Sequence, residues 1–252
     1  MEEIVDALTA QHQELEDLLV PLDDVGWATP TPRCPGWDVS DVVLHLAQTD
    51  EMALGSVTGR FTETMGALAA GLRATTSVDD GAGALVAAQR GAPPAEVHER
   101  WRSGAAALRA AFGAADPRGR VQWVVGDMAA RTLATTRLAE AWIHTGDVCA
   151  ALDLPIVGSD RLRPIVRLAW RTLPYAFASA GRSLSGPVRF SLTAPDGSTW
   201  DLEPDEPAVT TITGPALDLC QVAGQRARAS DTALTGSGPD VDAVLELVRT
   251  FA

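Results

Sequence analysis

Residues 133–152, LATTRLAEAWIHTGDVCAAL, decide how this chain is read. Apolar periodicity carries a helix from about Ala129 to Leu152, and Pro155 follows its end. Glu140 and His144 are four apart, so the carboxylate and the imidazole share one face, one turn from each other. Leu138, Ala141 and Ile143 flank them, so the helix is apolar on most sides and reads as buried. A buried carboxylate is costly unless a cation answers it.

Working outward, SDVVLHLAQTDEMAL at residues 40–54 is a second amphipathic helix, capped by Asp38 or Ser40, with His45 beside its Val42, Val43, Leu46, Ala47 stripe. Two imidazole nitrogens and one carboxylate oxygen from facing helices suit zinc, and also Ni2+ or Fe2+. Three protein ligands leave a coordination position open, which a catalytic metal needs. The same spacing also suits a surface ion pair, or a charge ladder of Arg137, Glu140, His144 and Asp147. Asp147 and Asp41, each about one turn from a histidine, are placed either to accept an imidazole N–H or to stay exposed. His98 sits among Glu96, Glu99 and Arg100 and reads as part of a solvated face. His12 lies nearer the bundle seam, as a structural group, a support for the ligands or an alternative ligand. Cys34, at the edge of a proline-rich loop, reads as a packing residue; it becomes a nucleophile only if a histidine approaches from elsewhere.

The chain has 252 residues, 46% hydrophobic and 21% charged, ordinary values for a globular protein of one large or two modest domains. A net charge of −13 argues against nucleic acid or anionic lipid as a partner. All 20 cationic side chains are arginine, which excludes chemistry on a lysine of this chain and, with the abundant alanine, suggests a GC-rich, actinobacterial genome. Cys34, Cys149 and Cys220 are too sparse for a disulfide framework, so a reducing cytoplasm is expected. The N-terminus is acidic and amphipathic, unlike a signal peptide, and no apolar run is long enough to span a membrane. There is no GxSxG, P-loop or GxGxxG.

Residues 2–22 read as a helix ending near Pro21, and one or two helices are expected within 55–93. Pro93 and Pro94 open a further helix that stops near Gly113, and Val121 to Val125 is a short β-like run. Four principal helices with a long connection between the second and third describe a four-helix bundle. Beyond about residue 158, Arg161 to Ala180 is helical but interrupted by Pro174. PVRFSLTAPDGSTWDLEP reads as a hairpin, VTTITG as a third strand, PALDLCQVAGQRARA as a helix and VDAVLELVRTFA as a closing helix. The fold expected is mainly α (α+β overall), with a bundle over 1–157 and an α+β domain with a mostly antiparallel sheet over 158–252.

WATPTPRCPGWDVSDVVLHLA at 27–47, followed by RLAEAWIHTGDVCAALDLP at 137–155, resembles the mycothiol-dependent maleylpyruvate isomerase family of the DinB-like superfamily, on the side of its members known as metal-binding proteins. The similarity continues through LTAPDGSTWDLEP, TGPALDLCQVAGQR and LELVRTFA. It implies a DinB-like metal-binding bundle, a C-terminal sterol-carrier-like α+β domain, and zinc ligands at His45, Glu140 and His144. A family arginine near a Leu-x-x-Gly-Arg segment falls closest to Arg226 in VAGQRAR, where a residue is inserted.

The expectation is a metal-dependent enzyme, a monomer or homodimer, in which mycothiol is activated as thiolate for isomerisation of, or S-transfer to, a small electrophilic substrate. Arg226, or Arg137 on the metal helix, holds an anionic group of that substrate, or else forms an ordinary ion pair. Two other readings keep the fold: a thiol-independent cyclase or tailoring isomerase of secondary metabolism, and a non-catalytic metal- or ligand-binding protein.

Overall fold

The computed structural model describes residues 1–250 as two compact units, one from Met1 to Ile156 and the other beginning at Val157. The first is a bundle of four long helices: α1 (Glu2–Leu19), α3 (Val39–Val57), α6 (Pro94–Ala114) and α7 (Ala130–Ala151). The short α2 (Asp24–Trp27) precedes α3, and α4 (Phe61–Leu68) and α5 (Val78–Gln89) occupy the long connection to α6. α1 turns Ile4, Leu8, Leu15 and Leu19 inward at helical spacing. α7 differs in kind, because every residue from Leu133 to Cys149 is buried and the helix has no solvent face. Truncating such a side chain, Leu138→Ala for example, costs about 2–5 kcal/mol.

α3 begins on a capping box that fixes its register. Asp41 N–H donates to Asp38 Oδ1 at 2.9 Å, and Asp38 N–H donates back to Asp41 Oδ2 at 3.3 Å. α6 begins at Pro94, where the missing N–H costs nothing. α7 follows a two-stranded hairpin, β1 (Arg120–Val121) and β2 (Met128–Ala129), and so enters the bundle directly from a turn. The expected strand Val121 to Val125 stops at Val121. Gly126, at φ 111, turns the chain, and Trp123 packs on Phe61 with ring centroids 6.0 Å apart.

In the second unit α8 (Leu162–Ser179) runs unbroken through Pro174, against the expectation of an interruption. Pro174 lies on the exposed face, where water can serve the carbonyl left without a partner. The opposite face buries Leu162, Ile165, Val166, Leu173 and Phe177. β3 (Val188–Thr193), β4 (Thr199–Leu202), β5 (Thr210–Pro215) and β6 (Thr235–Ser237) form a sheet of order β4-β3-β5-β6. β3 and β5 are parallel and the other pairs antiparallel. Gly197, at φ 84, makes the hairpin turn after Pro195 and Asp196. α9 (Ala216–Ala223) follows β5, and α10 (Val241–Leu247) is shorter than expected. Its chain leaves the helix so that Thr250 N–H reaches the Ala223 carbonyl at 3.1 Å; the last two residues of the expected helix lie outside the described residues. Among the described residues, no helix is long and apolar enough to cross a membrane.

Candidate metal centre

His45 on α3 and the Glu140–His144 pair on α7 meet inside the bundle, all three buried. Glu140 Oε2 lies 3.6 Å from His45 Nε2 and 3.5 Å from His144 Nε2, and the imidazole centroids are 4.8 Å apart at 70°. Both separations exceed the range of about 2.7–3.2 Å for an N–H···O hydrogen bond. They are instead close to the edge of a tetrahedron with metal bonds near 2.0–2.1 Å, which is about 3.4 Å. Two neutral nitrogens and a carboxylate oxygen at that spacing fit a divalent ion.

Electrostatics around the cluster are strongly biased. Burial by itself pushes the Glu140 carboxyl up, but the two facing imidazoles and the charge of Arg137 outweigh it and hold it well below the usual range. Burial holds His45 below its ordinary value, opposed in part by Glu140. Burial also acts to lower His144, yet Asp147, Cys34 and Glu140 outweigh it and raise that imidazole well above its ordinary value. Glu140 therefore stays ionised, and in the absence of a cation His144 carries the proton that balances it.

Each histidine has a partner behind it. His144 Nδ1–H donates to Asp147 Oδ2 at 3.0 Å, so that Nε2 is the nitrogen facing Glu140 and His45, with a lone pair to offer once its proton is displaced. Asp147 is wholly buried, so exposure is the wrong reading for it. It is wrong for Asp41 as well, but Asp41 does not serve His45. It closes the capping box and pairs with Arg90 at 2.7 Å. The residue missed from sequence is Cys34. Its Sγ lies 3.2 Å from the same Asp147 oxygen, and it forms a close cluster with His144 and Asp147. Those distances are hydrogen-bond lengths, unlike the wider gaps at Glu140. Trp37 stands on the other side, its ring 5.3 Å from that of His45.

A second polar layer draws on all four long helices. Arg137 Nε donates to Asp50 Oδ1 at 3.1 Å and its Nη2 to Thr49 Oγ1 at 2.8 Å. Arg109 Nη1 donates to His12 Nδ1 at 2.6 Å, so the His12 proton is on Nε2, which is 3.9 Å from Asp50 Oδ2. Burial, with the charges of Arg109 and Arg137 beside it, lowers His12 to about 3. His12 is thus neutral and structural, and Arg137 is committed to Asp50 instead of forming a surface ladder with Glu140, His144 and Asp147. His98 is not on a solvated face: it is half-buried, pairs with Glu16 at 2.7 Å and stacks on Trp101. Arg226 belongs to the second unit, just past α9, where its Nη1 donates to the Gly224 carbonyl at 3.2 Å.

The chain matches the mycothiol maleylpyruvate isomerase N-terminal domain over residues 8–149. Two uncharacterized proteins of Mycobacterium tuberculosis, MT0041 and Rv0036c, are each 34% identical to it over 248 residues, covering 97% of this chain and 93% of theirs. Among solved structures it is similar to the crystal structure of the mycothiol-dependent maleylpyruvate isomerase, with TM-score 0.62 and 18% identity over 94% of this chain and 92% of that one. A mutant of that enzyme gives TM-score 0.61 at the same identity and coverage. At 18% identity the likeness is one of fold.

Proposed function

This chain belongs to the mycothiol maleylpyruvate isomerase family, and from that premise we propose that it is a metal-dependent isomerase working with a low-molecular-weight thiol, mycothiol, on a small electrophilic substrate. The observation that carries the reading is the buried His45–Glu140–His144 cluster with its 3.5 and 3.6 Å gaps, three ligand groups that would leave a bound ion a further position for substrate or thiol. A divalent ion in that place, zinc first and Ni2+ or Fe2+ as substitutes, supplies a Lewis acid and favours the thiolate form of a thiol near neutral pH.

The protein's own residues prepare the site before any ligand arrives. Glu140 provides a fixed negative charge, and Asp147 accepts a hydrogen bond from His144 Nδ1–H, so that Nε2 is the nitrogen left to ligate. The bundle's apolar residues exclude water from around these groups and strengthen the charge interactions among them. In this reading the thiol adds to an electrophilic double bond and leaves again once the bond has turned; where it fails to leave, the product is an S-conjugate.

The test is turnover of maleylpyruvate by purified protein, with and without mycothiol, beside elemental analysis for zinc. Turnover that needs both the thiol and the metal supports the proposal. Turnover without the thiol would favour a thiol-independent isomerase or cyclase. A protein that binds no zinc, nickel or iron would overturn the metal reading.

A further inference from the structure

The loop from Thr29 to Asp38 joins α2 to α3, and it reaches both histidines by separate routes. It is tightly closed on itself. Thr31 N–H donates to the Trp37 carbonyl at 2.9 Å, Trp37 N–H to the Cys34 carbonyl at 3.0 Å, and Cys34 N–H to the Thr31 carbonyl at 3.2 Å. Gly36, at φ 84, makes the reversal possible, and Arg90 Nη2 ties the Gly36 carbonyl to α3 while also pairing with Asp41. A loop held this way presents its side chains in fixed directions.

Two of those side chains meet the metal cluster. The Cys34 thiol donates to Asp147 Oδ2 at 3.2 Å, and the same oxygen receives His144 Nδ1–H at 3.0 Å. The Trp37 indole lies against the His45 ring, with centroids 5.3 Å apart and planes at 47°. An imidazole turns about two side-chain bonds, so a ligating nitrogen is held in place only if something fixes the ring from behind. Here the two rings are fixed from one loop, one through a carboxylate and the other by ring contact.

We propose that the Thr29–Asp38 loop is the positioning device of the metal centre, with Cys34 acting through Asp147 on His144 and Trp37 acting on His45. The inference rests on the metal-site reading above. Cys34 and Trp37 also pack against the core around Val39, Val42 and Val43, so a purely structural role must be separated from a positioning one. Packing loss lowers the melting temperature of the metal-free protein and leaves the ligand geometry alone. Positioning loss changes the geometry at the ion itself.

The experiment compares the full chain with its Cys34→Ala, Cys34→Ser, Trp37→Ala and Trp37→Phe variants. Zinc affinity is read by chelator competition, Co2+ coordination by visible absorption, and folding by the melting temperature of each metal-free protein. Cys34→Ala and Trp37→Ala should each weaken zinc by about tenfold and alter the Co2+ band. Cys34→Ser keeps a donor and Trp37→Phe keeps a ring, so both should recover the wild-type spectrum. Should Trp37→Ala fail to fold, Trp37→Leu keeps apolar bulk without the ring and takes its place. The inference is overturned if the Ala variants bind zinc within about twofold of wild type with an unchanged Co2+ band, whatever their melting temperatures. A wild type that binds neither ion fails at an earlier point, the metal reading itself, and is told apart by that arm.

Discussion

Arg137 on α7 donates through Nε to Oδ1 of Asp50 on α3 at 3.1 Å, with both side chains almost wholly inside the bundle. Burial raises the Asp50 carboxyl, and Arg137 is the main group opposing that rise. Arg137→Met leaves the carboxylate without its partner and should cost about 3–5 kcal/mol in urea unfolding. Arg137→Met with Asp50→Leu removes both charges and should recover most of the loss. With Asp50→Leu alone completing the cycle, a double-variant loss equal to the sum of the two single losses would show that the pair is not coupled.

Glu140→Ala and His144→Ala each remove one of the three proposed ligand groups and should abolish stoichiometric zinc. The expected loss exceeds the roughly 10–100-fold that follows removal of a supporting residue. Elemental analysis after gentle purification decides it. Because His144 is raised above its ordinary value, binding must displace its proton. Affinity should therefore fall as pH is lowered, with proton release visible as a buffer-dependent heat of binding. A buffer-independent heat would contradict that protonation state.

His12 sets an acid limit on stability. Its imidazole is lowered to about 3 in the folded state, against 6.5 for the free group. Between those values the unfolded chain binds a proton that the folded chain refuses. Its contribution is thus fully present above about pH 6.5 and is lost as pH falls towards 3, by up to about 1.4 kcal/mol per pH unit. His12→Asn keeps an acceptor for Arg109 and does not titrate, so its stability should fall less steeply over that window. Parallel curves for the two proteins would rule His12 out as the cause.

Asp38→Ala removes half of the capping box at the start of α3 and should destabilise the protein by about 1 kcal/mol. Asp38→Asn keeps an acceptor and should lose little. Equilibrium unfolding of the two variants provides the measurement.

The bundle was legible because its helices are periodic, and the adjacency of Glu140 and His144 follows from helical spacing alone. Their neighbours behind the site were not. Cys34 and Asp147 are 113 residues apart, and no local pattern announces a contact between a loop and the far end of a helix. Arg137 looked available for substrate because its partner Asp50 lies on another helix, 87 residues away. Pro174 was overvalued as a breaker because its tolerance depends on facing water, a property of the fold and not of the residue.

The burial of α7 on every side has a consequence for how the proposed ion would be acquired. Residues Leu133 to Cys149 find their places through packing, so Glu140 and His144 are set in position by folding and not by the cation. Small zinc domains fold only around their metal, whereas this bundle is a receptor finished in advance. Chelation should therefore leave its far-ultraviolet dichroism intact, and the same apoprotein can be reloaded with zinc, cobalt or nickel in turn. In the proposed reading the ion would then be an exchangeable part, with the identity bound set by supply as much as by affinity.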